Sequence, residues 1–180
     1  MLNLAINGFG RIGRVTLRTI IENYCERVRV TAINTSGSMD AAGWAHFLKY
    51  DTVYGHFGHE VSVLPPKMGS EIGRLKIDEE EYPILAIREP ERIPWRDYNV
   101  ETVLECTGVF RDRQAEGHFE GGAKKVIISA PPKDEAIPTF VLGVNEEEYR
   151  GEKLISIGSC TTNCVAPVVK IMDQEFGFFE

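Results

Sequence analysis

The chain has 180 residues, 43% hydrophobic and 26% charged, which is the make-up of a folded globular domain and excludes a disordered or fibrous chain. A net charge of -7 at pH 7 argues against binding to nucleic acid or an anionic membrane. No apolar run approaches the ~20 residues of a membrane-spanning helix, Met1 to Ile6 lacks the basic start and long apolar block of a signal peptide, and four cysteines are too few for a disulfide scaffold, so a soluble cytoplasmic protein with reduced thiols is expected.

Strand and helix signals alternate along the chain. Leu2 to Asn7 is a short apolar run of strand character that leads directly into the turn Gly8-Phe9-Gly10-Arg11-Ile12-Gly13. Beyond it Ile12, Val15, Ile20 and Tyr24, with Leu17 and Ile21 beside them, recur at helical spacing. The β-branched run Val28 to Ile33 predicts the next strand, completing a βαβ unit of about 30 residues. Asp40 to Tyr50 reads as a second helix with Asp40 near its start. The segments Val61-Ser62-Val63, Leu75-Lys76-Ile77 and Ile84-Leu85-Ala86-Ile87 lie between Pro and Gly and suit antiparallel hairpins inserted between parallel strands. Thr102 to Cys106 and Lys125 to Ser129 are strands of the buried type, with a short helix around Ala115 to Phe119 between them. Thr139 to Leu142 and Leu154 to Ile157 close the strand series, and Thr162 to Glu175 is helical. The expected fold is α/β: a doubly wound, mostly parallel, Rossmann-like sheet with inserted antiparallel hairpins and helices on both faces.

Gly8-x-Gly10-x-x-Gly13 stands between an expected strand and an expected helix, the context in which this pattern binds dinucleotides. Gly8 permits the tight turn, Gly10 lets a pyrophosphate approach the backbone, and Gly13 lets helix and strand pack closely. The helix start offers free N–H groups and partial positive charge, and Arg11 and Ile12 lie on that first turn. The second strand ends Ala32-Ile33-Asn34-Thr35-Ser36-Gly37, with no Asp or Glu at its tip. A carboxylate there would bond the ribose 2′-OH and repel a 2′-phosphate. Asn34 is expected at the adenosine ribose, and the Thr35 and Ser36 hydroxyls are suited to a phosphate, although Asn34 and Thr35 would serve equally to cap the next turn. Both NAD and NADP stay open as cofactors.

Ser159-Cys160-Thr161-Thr162-Asn163-Cys164 opens the last helix. The helix dipole and free N–H groups stabilise the thiolate of a cysteine so placed, the form a covalent catalyst needs; an inert packed thiol fits the same pattern. Ser159 and Thr161 flank Cys160 with hydroxyls suited to an anion. Cys164 reads as a small buried hydrophobe, and no metal site is expected because Cys25 and Cys106 form no second pair. His46 belongs to the second helix, His56 and His59 to a solvated loop, and His118 to a short surface helix; none is placed to activate Cys160.

Several strings in this sequence resemble glyceraldehyde-3-phosphate dehydrogenases: Asn7-Gly8-Phe9-Gly10-Arg11-Ile12-Gly13-Arg14, Leu48-Lys49-Tyr50-Asp51-Thr52-Val53-Tyr54-Gly55, Ile93-Pro94-Trp95, Glu105-Cys106-Thr107-Gly108-Val109-Phe110, the run from Gly121 to Pro131, Phe140-Val141-Leu142-Gly143-Val144-Asn145, and the segment around Cys160. They occur in the family's order and cover nearly the whole chain. The resemblance implies that Cys160 is the nucleophile that forms a thiohemiacetal with a phosphorylated aldehyde, that hydride passes to NAD or NADP, and that inorganic phosphate cleaves the resulting thioester. It implies Arg11 and Ile12 at the pyrophosphate, Thr107, Gly108 and Phe110 as a wall of the cofactor groove, and Ser129 at the next strand end. It places Arg88 beside the adenine through its backbone, and Ser159 and Thr161 at the substrate or attacking phosphate.

Three departures stand out. Thr35 occupies the place of the Asp usual in NAD-dependent members, Ile157-Gly158 replaces the common Asn-Ala, and the family's catalytic His and most substrate-phosphate ligands have no counterpart before Glu180. The expected organisation is therefore an NAD(P)-binding domain over residues 1–158 and the start of a catalytic domain over 159–180. The full-length parent would be a homotetrameric enzyme, with the 180 residues inactive alone. A non-catalytic nucleotide-binding module and a sister enzyme such as an erythrose-4-phosphate dehydrogenase are the alternatives. Val165, Val168, Val169, Met172 and Phe176 form one apolar helix face, followed by Phe178-Phe179, so the isolated chain is expected to associate with itself.

Overall fold

The structure, a computed structural model, describes residues 1–177. Strand β1 (Leu2–Asn7), helix α1 (Arg11–Asn23) and strand β2 (Val28–Asn34) form the expected βαβ unit. Helix α2 (Ala41–Lys49) follows, and the side chain of Asp40 caps it by accepting from the Gly43 amide at 2.8 Å. A small hairpin, β3 (Tyr50–Asp51) and β4 (Gly55–His56), precedes β5 (Val61–Leu64), β6 (Glu71–Ile77) and β7 (Glu80–Leu85). Then come β8 (Thr102–Glu105), the short α3 (Gly117–Glu120), β9 (Lys125–Ile128), β10 (Leu154–Ser156) and α4 (Cys160–Phe176).

The main sheet has eight strands in the order β10-β9-β8-β1-β2-β7-β6-β5. Pairing is parallel from β10 through β7, and β7-β6-β5 continue antiparallel. The expected hairpins thus extend one edge of the sheet, and β7 joins them to the parallel part through β2. Alternate residues of β1 serve opposite layers. Leu4 and Ile6 pack with Leu17 of α1 and Trp44 and Leu48 of α2, while Ala5 packs with Trp95, Ala115 and Val126 on the other face. The chain leaves β1 toward β2 on one side and returns to β8 on the other. That reversal opens a crevice beyond the carboxyl ends of β1, β2 and β8.

Two expectations differ in detail. Ile12 and Tyr24 keep helical spacing yet are about half exposed, and α1 buries Gly13, Leu17 and Arg18. Arg18 is held inside by carbonyls: it donates to Leu48 O at 3.0 Å and Gly55 O at 3.1 Å, with its guanidinium over the Phe57 ring. The second difference is Thr139 to Leu142, which is no strand. Only Thr139 bridges to Ser156, because the Asn145 side chain accepts from Val141 N at 2.9 Å and donates to Thr139 O at 3.0 Å in place of a ladder.

Candidate functional site

A groove of about 420 Å³ lies at the strand reversal. Its floor is Asn7 and the turn Gly8 to Gly10; its sides are Asn34 to Ser36 after β2, Trp44 of α2, Ile87 and Arg88 after β7, and Cys106, Thr107, Val109 and Phe110 after β8. Seven expected residues therefore meet here: Gly8, Gly10, Asn34, Thr35, Arg88, Thr107 and Phe110.

The three glycines have different surroundings. Gly8 has a φ of +96°, and a Cβ on it would sit 2.6 Å from Thr107 N. A Cβ on Gly13 would sit 2.1 Å from the Gly8 carbonyl oxygen. Gly10 faces open space within 4 Å, which is where a ligand would approach the backbone. Gly10 is also the N-cap of α1 and caps it with no side-chain bond, and the first turn carries no acidic residue. The first-turn amides stay available, with the positive end of the dipole behind them. These features fit the pyrophosphate of a dinucleotide.

Arg11 and Ile12 are exposed on that first turn. The Arg11 side chain turns away from the groove, donating to Thr52 Oγ1 at 3.2 Å and Asp51 Oδ2 at 3.4 Å, and Arg14 reaches the same Asp51 oxygen at 3.3 Å. The Val53 and Tyr54 amides, helped by the two arginines, hold the Asp51 carboxyl well below the usual range.

Beneath the groove runs a chain of buried polar side chains. Asn34 donates to Asn7 Oδ1 and to Ile87 O, and accepts from Ile87 N. Asn7 donates in turn to Glu105 Oε2. Glu105 also accepts from Thr107 N at 2.7 Å, from the Thr107 hydroxyl, and from His118 Nε2 at 3.2 Å. Trp95 Nε1 donates to His118 Nδ1 at 3.0 Å. His118, expected on a surface helix, is instead fully buried, because Trp95 and Glu105 satisfy both ring nitrogens. Glu105 and His118 were not anticipated in the site. The one signal available was an acid at the inner end of a buried-type strand.

Thr35 lines the groove, but its hydroxyl does not serve as the expected phosphate donor. It is buried, donates to Leu85 O at 3.0 Å and accepts from Gly37 N, the turn-capping role that the sequence also allowed. Ser36 is exposed on the rim, its hydroxyl 2.9 Å from that of Ser38. Ser129 donates to Glu105 O at 3.0 Å behind the groove wall, and Gly108 adopts a φ of +70° within it. Burial pushes the Cys106 thiol up to about 11 despite a bond from Ser129.

Cys160 is the first residue of the 17-residue α4 and is exposed, as is Thr161. The Ser159 hydroxyl is occupied as the helix cap, accepting from Thr162 N at 2.9 Å. Gly158 has a φ of +72°, a turn that an Ala at this position would strain. None of these residues lines the groove. Cys164 is exposed rather than buried, since α4 buries none of its described residues. The face of Val165, Val168, Val169, Met172 and Phe176 is open; Phe178 and Phe179 lie outside the described residues. His59 pairs with Asp78 at 2.6 Å, and His46 and His56 are exposed. Among the described residues no three His, Cys, Asp or Glu gather as metal ligands, and no helix is long and apolar enough to cross a membrane.

Residues 2–113 match the model of the glyceraldehyde 3-phosphate dehydrogenase NAD binding domain. The chain belongs to the glyceraldehyde-3-phosphate dehydrogenase family. It is 44% identical over 178 residues to the chloroplastic glyceraldehyde-3-phosphate dehydrogenase A of Chlamydomonas reinhardtii, covering 98% of this chain and 46% of that protein. It is 44% identical to glyceraldehyde-3-phosphate dehydrogenase 2 of Bacillus subtilis and 45% to the glyceraldehyde-3-phosphate dehydrogenase of Thermotoga maritima, each over 98% of this chain and 49% and 51% of the relative. The chain thus spans about half the length of the curated relatives it matches, and that half carries the family's NAD-binding domain.

Proposed function

We propose that the groove binds NAD or NADP, and that in a polypeptide of the relatives' length Cys160 is the nucleophile of a phosphorylating aldehyde oxidation. The observation that carries the binding reading is the uncapped start of α1 above the open face of Gly10, at the strand reversal, in a chain of this family. The backbone of Gly8 to Gly13, including Arg11 and Ile12, would hold the pyrophosphate. Asn34 and Thr35 would border the adenosine ribose, Arg88 the adenine through its backbone, and Thr107, Gly108 and Phe110 the opposite wall, with Ser129 behind. When bound, the nicotinamide supplies a hydride acceptor.

Cys160, exposed at the positive end of α4, would attack the aldehyde carbon of a phosphorylated substrate. The resulting thiohemiacetal would lose its carbon-bound hydrogen as hydride to the bound nucleotide and its hydroxyl proton to solvent, leaving a thioester on the sulfur, and inorganic phosphate would cleave that thioester, giving an acyl phosphate and releasing the Cys160 thiolate. Thr161 and Ser159, which flank Cys160 in the sequence, would orient the phosphate or substrate. Residues 1–158 form the nucleotide domain in this reading, 159–180 begin the catalytic one, and the full-length protein is a cytoplasmic homotetramer.

Calorimetry on the chain tests the groove. NAD and NADP are expected to bind with affinities within about tenfold of each other, because no carboxylate repels a 2′-phosphate. A preference for NAD of roughly a hundredfold overturns dual use, and binding of neither removes the nucleotide reading.

A further inference from the structure

Glu105 is 1% exposed and His118 is fully buried, yet the proposed chemistry uses neither. A buried carboxylate survives only when its oxygens are saturated with donors. Glu105 has four: Asn7 Nδ2 and His118 Nε2 on one oxygen, Thr107 N and Thr107 Oγ1 on the other. None of the four belongs to a Lys or Arg.

The direction of these bonds is fixed from the far end. An indole N–H can only donate, so the bond from Trp95 puts the lone pair of His118 on Nδ1 and its proton on Nε2, facing Glu105. Trp95 lies in a short 3-10 turn, Trp95–Tyr98, and His118 in α3, both on the side of the sheet away from α1 and α2. The chain of bonds therefore starts in the core and ends on the groove wall. There Glu105 holds both the amide and the hydroxyl of Thr107, and the Thr107 hydroxyl accepts the Val109 amide at 3.0 Å. Two bonds from one residue, followed by a third, lock the turn that carries Gly108 and Phe110. A neutral amide at position 105 could not accept all four donors.

We propose that Trp95, His118 and Glu105 are positioning residues of the nucleotide groove. They touch no ligand; they hold Thr107 to Phe110 in the shape the nucleotide requires before it arrives, removing an ordering cost from binding. This rests on the groove being a nucleotide site.

The test is NAD titration calorimetry on the chain with three variants and a control. His118→Leu removes the donor to Glu105 and is expected to weaken NAD binding about tenfold or more. His118→Gln, whose amide can donate in its place, is expected to recover to within about threefold of the parent. Ile77→Val, a core truncation in β6 on the opposite face of the sheet from Trp95, is expected to lower the unfolding midpoint while leaving affinity within about twofold. Trp95→Phe keeps an aromatic ring but removes the donor to Nδ1, so the His118 Nδ1 resonance in the ring ¹⁵N spectrum is expected to move downfield to that of an unbonded acceptor nitrogen, while Glu105 keeps the proton on Nε2. That spectrum reads the relay even if His118→Leu does not fold.

Parent-like NAD binding by His118→Leu, an equal loss of affinity in Ile77→Val, or an unchanged His118 spectrum in Trp95→Phe overturns the positioning role while the nucleotide reading stands. A parent chain that binds no NAD overturns both.

Discussion

The Asn34 side chain donates to Asn7 Oδ1 at 2.7 Å, joining the last residues of β2 and β1 beneath the groove. The same amide clasps Ile87, donating to its carbonyl at 2.8 Å and accepting its N–H at 2.9 Å. Truncation to Ala strands the buried Asn7 oxygen and the half-buried amide and carbonyl of Ile87, so N34A is expected to lose about 1–3 kcal/mol in urea denaturation. N34D keeps the acceptor but turns a carboxylate toward two oxygens. It is expected to be at least as damaging, and a stability equal to the parent would break the account.

The glycines of the turn separate folding from binding. Gly10 has a φ of -65° and no neighbour within 4 Å of a would-be Cβ, so G10A is expected to melt within about 2 °C of the parent while losing roughly tenfold or more in NAD affinity. G13A drives a methyl into the Gly8 carbonyl and is expected to lose structure as well as binding. Circular dichroism melts beside calorimetry distinguish the two outcomes.

Thiol chemistry offers an independent reading of α4. Timed iodoacetamide labelling with peptide mapping is expected to rank Cys160 first, exposed Cys25 and Cys164 next, and Cys106 last, its thiol raised to about 11 by burial. Equal rates at Cys160 and Cys164 would mean that the helix start confers no reactivity.

With the Thr35 hydroxyl engaged by Leu85, the hydroxyl left on the rim is that of Ser36. S36A is expected to weaken NADP about three- to tenfold and to leave NAD within about twofold. An equal effect on both nucleotides would place Ser36 away from the 2′ position.

Glu71 is one of the carboxyls that make the fold acid-sensitive. Burial alone would raise its carboxyl, but bonds from Arg74 and the Lys67 amide outweigh it and hold it below its usual value. A depressed carboxyl stabilises the fold above the unfolded value of about 4.3 and loses that contribution as pH falls through the folded value. E71Q is therefore expected to lower the melting temperature at pH 7 and to flatten its decline below about pH 4. An unchanged acid limb would count against it.

The strands were legible because each is a local string of apolar or β-branched residues. Leu2–Asn7 has the bounds its residues predict, and the Asp40 cap of α2 is equally local. The glycine turn was legible for the same reason: its three positions and the helix after it are consecutive. The polar chain under the groove was not, since Asn7 and Glu105 are 98 positions apart and meet only once β8 lies beside β1. His118 misled because its neighbours Gly117, Glu120 and Gly121 look like surface, whereas its environment is set by Trp95, 23 positions earlier. Thr139 to Leu142 misled in the opposite sense: β-branched and apolar residues there are diverted from the sheet by one asparagine side chain.

The three glycines of the Gly8 to Gly13 turn offer a ligand main-chain atoms and empty volume, with no side chain of their own to substitute. Variation there can only subtract, so the tuning of one nucleotide against another falls to the few rim positions, Ser36 and Arg88 among them, where a side chain is free to change without disturbing the cradle. In this fold the selective and the supporting parts of a binding site are built from different kinds of atom.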